Sequence, residues 1–173
     1  MITRSHQKGD AASVAVYSPC ERYRYLLTRR WAEGDKVLFV MLNPSTATEY
    51  QNDPTVERCE RRARTLGFGA FRVCNIFAWR DTDPRKMRAA PDPVGPENDA
   101  AILESCDWAD RIVCAWGTHG AHLNRGPQVE ALMRGTGRPL FHLGLTQGGH
   151  PKHPLYIGYG QQPEPWDHAT AFA

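Results

Sequence analysis

The sequence lacks most of the features that settle a function at once. Among its 173 residues there is no Walker loop, no G-x-G-x-x-G, no G-x-S-x-G and no H-E-x-x-H. The simplest nucleotide-binding, hydrolase and metalloprotease readings are therefore excluded. No apolar run approaches the roughly 18 residues that span a bilayer, and the polar stretch Met1 to Asp10 has no apolar signal core. The expected location is the cytoplasm, with no membrane partner. The five cysteines, Cys20, Cys59, Cys74, Cys106 and Cys114, are odd in number and never two residues apart as C-x-x-C. That argues against a disulfide framework and a structural zinc site. Cys74 and Cys114 sit inside apolar runs, where a thiol behaves as a small hydrophobe.

What is present is ordinary for a globular chain: 41% hydrophobic residues, 23% charged, and a formal net charge of +2. The length suits a single domain spanning 1–173. Arginines cluster between Arg58 and Arg88, which permits binding of phosphate or nucleic acid without requiring it. No cofactor motif appears, and nothing calls for an obligate protein partner.

The short apolar runs Lys36–Leu42, Phe71–Phe77, Arg111–Trp116 and Pro139–Leu143 read as buried strands. Arg22–Leu27 reads as an edge hairpin, residues 1–10 as a loose tail, and residues 157–173 as mostly irregular. Asp53-Pro54 opens a helix whose apolar stripe is Val56, Cys59, Ala63 and Leu66. At most one helical turn is expected near Arg85–Ala89. Further helices are expected from Pro96 to Cys106 and from His119 to Arg134, the second interrupted near Gly126-Pro127. Strands alternating with helices predict an α/β fold with a mainly parallel sheet covered on both faces. Ligands bind such folds at the carboxyl ends of the strands. Four segments lie there: Asn43–Thr48, Asn75–Asp81, Trp116–His119 and Gly144–Tyr156.

These segments carry the candidate chemistry. Asn43-Pro44-Ser45-Thr46 can aim backbone N–H groups and an amide at a ligand, or it can be a turn that caps the next segment. Asn75 interrupts an apolar strand; a buried amide needs partners. Phe77 and Trp79 flank it and can stack on a flat ring or fill the core. Trp116-Gly117-Thr118-His119 follows the third strand. His119, His122, His150 and His153 invite a metal reading, although no carboxylate or cysteine joins them at a strong spacing, so no metal ligand is assigned. The loop His150-Pro151-Lys152-His153-Pro154-Leu155-Tyr156 offers histidines for proton transfer.

The stretches MLNPSTATEYQNDPTVERC, VCNIFAWRDTDP, DPVGPENDAAI, CAWGTHG and HPLY resemble an uncharacterised bacterial domain-of-unknown-function family, from about Tyr17 to Tyr156. Their order is also similar, more distantly, to the uracil-DNA glycosylase superfamily. Asn43-Pro44-Ser45 stands where that superfamily has G-x-N-P-G or G-Q-D-P-Y, Asn75 where it has a base-reading Asn, Trp116-Gly117 in its L-L-W-G motif, and His153-Pro154-Leu155 in its H-P-S-P-L motif. The resemblance implies a three-layer αβα sandwich and a protein directed at nucleobases or nucleic acid, cleaving an N-glycosidic bond. In that scheme Asn43 positions water, weakly because it replaces an Asp. His153 stabilises the departing base, Asn75 reads its edge, and Phe77 or Tyr50 stacks on it. Pro44, Ser45, Thr46, Thr48, Arg80, Trp116, Gly117, His119 and Tyr156 line the ligand, while Arg58, Arg61 and Arg62 hold phosphates. The alternatives are a non-catalytic nucleotide or nucleic-acid binding module and a histidine-dependent metal hydrolase.

Overall fold

In a computed structural model that describes residues 1–167, the apolar runs lie side by side. They are β4 (Lys36–Met41), β5 (Ala70–Asn75), β6 (Arg111–Cys114) and β7 (Leu140–His142), all parallel to their neighbours in the order β5-β4-β6-β7. Strand β4 is central, and its side chains alternate between two cores. Leu38, Val40 and Leu42 join Ile102, Cys106, Val129 and Met133 in one. Val37, Phe39 and Met41 join Val56, Cys59 and Ala63 in the other. Burying each large aliphatic side chain contributes about 1.5–3 kcal/mol.

The expected three-layer sandwich around a mainly parallel sheet is not what the chain forms. One mixed sheet of eight strands runs β1-β2-β3-β5-β4-β6-β7-β8, and four of its seven pairings are antiparallel. Few helices accompany it: α1 (Pro54–Thr65), α2 (Pro84–Ala89), α3 (Asn98–Trp108) and α4 (Arg125–Arg134). The difference arises at the N-terminus. Residues 1–10, expected to be a loose tail, supply β1 (Ile2–Lys8), which pairs with β2 (Ala11–Tyr17) through a two-residue turn at Gly9 and Asp10. Gly9 adopts φ +61° there, the left-handed conformation a tight hairpin needs. Strand β3 (Arg24–Arg30) then runs antiparallel to both β2 and β5. The C-terminal edge is the short β8 (Glu164–Pro165), antiparallel to β7. The rest of 157–167 is irregular, and residues 168–173 lie outside the described residues.

Asp53 caps α1 as its pattern requires, with Oδ1 accepting from Val56 N at 2.8 Å and Pro54 opening the first turn. The expected helix over His119–Arg134 is instead a 3-10 segment, Thr118–Asn124, followed by α4. The break falls at Leu123 and Asn124, which take φ +55° and +54°, rather than at Gly126-Pro127. Four of the five free cysteines are buried, Cys74 and Cys114 among them; Cys20 is exposed. No helix of the described residues is long and apolar enough to cross a membrane.

The Trp116 indole is 2% exposed and is flanked by two glycines. A Cβ on Gly120 would lie 2.3 Å from its Cδ1, and one on Gly126 would lie 2.7 Å from its Nε1. A methyl group there must displace a packed ring. Gly120→Ala is expected to cost about 1–3 kcal/mol of stability. Gly158→Ala, whose Cβ would meet nothing within 4 Å, is the control. Urea denaturation checks both, and equal midpoints for the two variants would refute this account of the packing.

Candidate functional site

The four segments predicted at strand ends come together. Backbone hydrogen bonds extend the sheet past its last residues: Phe77 N to Leu42 O, Ala115 N to Val40 O, and Asp81 N to Pro44 O. Gly117, in a left-handed conformation at φ +74°, donates to Pro151 O at 2.8 Å and so brings the histidine-proline loop alongside. A Cβ on Gly117 would lie 3.5 Å from His153 Cβ, so the two loops nearly touch.

Between these loops lies a cleft of about 570 Å³, walled by Leu42, Asn43 and Ser45, the start of α1 at Asp53 to Thr55, Asp81 and Thr82, Trp116 to His119, and His153, Leu155 and Tyr156. It falls in the size range of small-molecule sites. A deeper recess of about 30 Å³ shares Asn43, Ser45, Asp53, Thr55 and His153 with it and adds Arg24, Pro44 and Asn75. That volume suits one or two atoms of water size. On the other side, a shallow polar groove of about 520 Å³ shares Ser45, Asp81 and Thr82 with the cleft and adds Arg22, Thr46 and Arg80.

Asn75 is 1% exposed, and neither its Nδ2 nor its Oδ1 has a hydrogen-bond partner. Its backbone is fixed, in contrast: Asn98 Nδ2 donates to Asn75 O at 2.8 Å, and Arg125 Nε to the next carbonyl, Ile76 O, at 2.8 Å. The amide is therefore held in place with its own hydrogen-bonding capacity unspent. Asn43 is the opposite case. Its Nδ2 donates to Asp81 O at 2.7 Å and to Trp79 O at 3.4 Å, tying the loop after β4 to the loop after β5. Such bonds hold the wall of the cleft rather than a water.

His153 accepts from Leu155 N at Nδ1, 3.3 Å away. This puts the proton of the neutral ring on Nε2. Burial lowers its pKa below the ordinary 6.5, with the Asp53 carboxylate opposing. Asp53 was read from the sequence only as a helix cap, yet it lines both the cleft and the recess. Its two oxygens accept from Val56 N and Ala47 N. Arg24 was not singled out either. It is 1% exposed, donates from Nη1 to Ala47 O at 3.0 Å, and leaves Nε without a partner. Burial lowers its pKa to about 10, so it stays charged at neutral pH. No sequence pattern marks a buried cation; only the pairing of β3 with β5 brings it here.

Other expected residues lie elsewhere. Phe77 is fully buried in a core cluster, its ring 5.6 Å from that of His122. Tyr50 is 62% exposed and packs edge-on against His6. Thr48 closes its own loop, its N–H bonding Gln51 O and its hydroxyl accepting from Tyr50 N. Arg58 and Arg62 direct their guanidiniums at carbonyls of Pro154, Ile157, Gly158 and Gln161, and Arg61 pairs with Glu57. None of these arginines lines the cleft or the recess. His119 reaches the cleft rim but lies 3.2 Å from the Arg88 guanidinium. The four histidines of the metal reading do not converge: among the described residues no three His, Cys, Asp or Glu side chains form a metal-binding group.

The depressed pKa of His153 has a defined consequence for stability. Below about pH 6.5 an unfolded His153 takes up a proton that the folded ring resists. The unfolded chain then binds more protons, so stability falls as pH drops from about 6.5 to the folded pKa, and levels off below it. His142, also depressed by burial, adds a parallel contribution. His153→Gln is therefore expected to shallow this limb without abolishing it. Denaturation between pH 5 and 7, with ring titration by NMR, checks the sign. A His153 resonance titrating at or above 6.5 would contradict it.

The model of a family described as "Protein of unknown function (DUF1643)" matches residues 24–155, and the chain belongs to that family. This agrees with the resemblance to an uncharacterised domain. No curated protein and no solved structure matches the chain, so the comparisons lend no support to the more distant resemblance to the glycosylase superfamily.

Proposed function

We propose that the cleft recognises a nucleobase, carried by a nucleotide or by nucleic acid, and reads its amide-like edge with Asn75. The observation that carries this reading is the unspent amide of Asn75. A buried amide without partners costs about 1–3 kcal/mol, and it offers a donor and an acceptor side by side. The complement is a flat ring edge with a carbonyl next to an N–H, as in uracil, hypoxanthine or guanine. The adjoining cleft is large enough for such a ring with its sugar. Leu42, Pro54, Trp116 and Leu155 supply apolar wall. The groove beside it presents Arg22 and Arg80 with the hydroxyl-bearing Ser45, Thr46 and Thr82, donors suited to a phosphate, alongside the acids Glu21 and Asp81.

Hydrolysis of the N-glycosidic bond is a second reading, favoured by His153, which lines both cleft and recess and carries its proton on Nε2. In that reaction the bond between sugar and base breaks and its electron pair leaves with the base. Water supplies hydroxide to the sugar carbon and a proton to solvent. Two observations weigh towards recognition instead. The amide nitrogen of Asn43 is engaged by carbonyls, and each oxygen of Asp53 already accepts a backbone N–H. Asn43 carries no basic atom, and the Asp53 carboxylate is oriented as the cap of α1 and the brace of Ala47.

The test is direct. The protein is titrated by calorimetry with uracil, hypoxanthine, their nucleotides, and single- and double-stranded oligonucleotides carrying them; the oligonucleotides are then assayed for abasic sites. Binding is expected, and Asn75→Ala should weaken it at least tenfold. The variant loses no side-chain hydrogen bond, and relief of the unsatisfied amide opposes the cost of the cavity left behind, so it should stay folded. Absence of binding to any of these ligands would overturn the reading, as would binding unchanged in Asn75→Ala and His153→Ala. Abasic sites formed by the parent protein and lost in His153→Ala would establish the hydrolytic reading.

A further inference from the structure

Arg24 is the least expected group in the molecule. It is a long cation, 1% exposed, and among the described residues no carboxylate pairs with it. A buried charge without a directly bonded counter-charge is costly and is retained where something compensates it. The Asp53 carboxylate acts on it through space without bonding it directly, and the Ala47 peptide joins the two, its carbonyl accepting from Arg24 and its N–H donating to Asp53. Asp53 also accepts from the first turn of α1, where the helix N-terminus offsets its charge. Arg24 lines the recess together with Asp53, and no carboxylate is bonded to it there.

Arg29 and Arg62 also leave Nε unpaired, but neither lines the recess, and their remaining nitrogens are spent on the carbonyls of Thr48, Ile157 and Gly158. Arg24 alone of the three shares a recess with a second unpaired group, the Asn75 amide. Two residues that each hold an unpaired N–H donor, one of them charged, thus line a space fit for one or two atoms of water size. His153, whose neutral ring carries its proton on Nε2, borders the same space.

We propose that this recess is an oxyanion site, in which Arg24 Nε–H and Asn75 Nδ2–H together hold one ligand oxygen that bears full or developing negative charge. The inference rests on the nucleobase reading and narrows it. The ligand is an oxo-substituted base rather than an amino-substituted one, and its oxygen, not a ring nitrogen, enters deepest. The charge of Arg24 favours ligand forms in which electron density moves onto that oxygen. An amino group in the same place would set donors against donors.

The experiment uses three probes on the intact protein: hypoxanthine, adenine and acetate. Hypoxanthine carries oxygen where adenine carries an amino group, and acetate is an oxyanion that is not a base. Hypoxanthine and acetate are expected to bind and to exclude each other, with adenine at least tenfold weaker. Arg24→Met should weaken both binders at least tenfold, and Arg24→Lys should recover part of the loss. Circular dichroism monitors folding. Should Arg24→Met not fold, Asn75→Asp, which places a carboxylate beside Arg24, should abolish acetate binding in a folded protein. Acetate binding without any base binding would support the oxyanion site and overturn the nucleobase reading. Equal binding of hypoxanthine and adenine, with no acetate binding, would overturn the oxyanion site and leave the nucleobase reading standing. Acetate binding indifferent to both Arg24→Met and Asn75→Asp would also overturn it, as would no binding of any probe.

Discussion

A cleft built from loops at the end of a sheet leaves irregular backbone in a dry place, and every carbonyl buried there needs a donor. In this protein arginine supplies many of them. Arg24 bonds Ala47 O, Arg29 bonds Thr48 O and Gln51 O, and Arg125 bonds Ile76 O. Arg58 and Arg62 hold the carbonyls of Pro154, Ile157, Gly158 and Gln161. A guanidinium has five donors in a fixed fork, so one side chain can pin two turns of chain that no helix or strand holds. The loop after β4 and the segment after His153 owe their shape to these braces. The same arginines are costly to bury, and most recover that cost in charge-assisted hydrogen bonds.

Against this background the incomplete sites are informative. The protein satisfies the backbone around Asn75 thoroughly, through Asn98 and Arg125, and leaves the Asn75 side chain unsatisfied. Local frustration inside an otherwise consistent structure is where function is usually found. Asn43 shows that polarity at a strand end does not by itself carry that meaning. Its amide is consumed in joining two loops, and its contribution is to the rigidity of the wall.

The legible parts of the sequence were those whose burial has a period. Strands β4, β5 and β6 and helix α1 follow from apolar runs and from Asp53-Pro54, because packing on both faces leaves no room for polar side chains. Convergence of Asn43, Asn75, Trp116 and His153 follows from their places after parallel strands. The N-terminal strands were not legible. In β1 most side chains face solvent, and β2 buries small residues such as Ala11, Ser13 and Ala15, so neither shows a hydrophobic alternation. The sequence also suggests Arg58 and Arg62 as a phosphate-binding face, since charge on a helix reads as surface; only the fold shows that a backbone turn sits over them. Phe77 follows Asn75 by two residues, the spacing that shares a face along a strand, but β5 ends at Asn75 and the Phe77 ring packs into the core.

The correction to the sheet bears directly on the site. A purely parallel arrangement would draw its cleft residues only from loops that follow the central strands. Here β3 lies antiparallel to β5, with Leu27 opposite Val73 and Arg29 opposite Phe71. The start of β3 therefore lies where β5 ends. Arg24 N bonds Ala78 O, and Arg80 N bonds Arg22 O, so the beginning of one strand is stitched to the loop following the other. That stitching carries the Arg24 guanidinium under the loop at Ala47 and sets Arg22 beside Arg80 at the rim. The positive charges of this end of the molecule come from the antiparallel extension and its seam, while the amide and the imidazole come from the parallel centre. A site of mixed parentage explains why positions after the parallel strands bring the amide and the imidazole into view in the sequence, while the buried charge of Arg24 is carried in by the antiparallel seam.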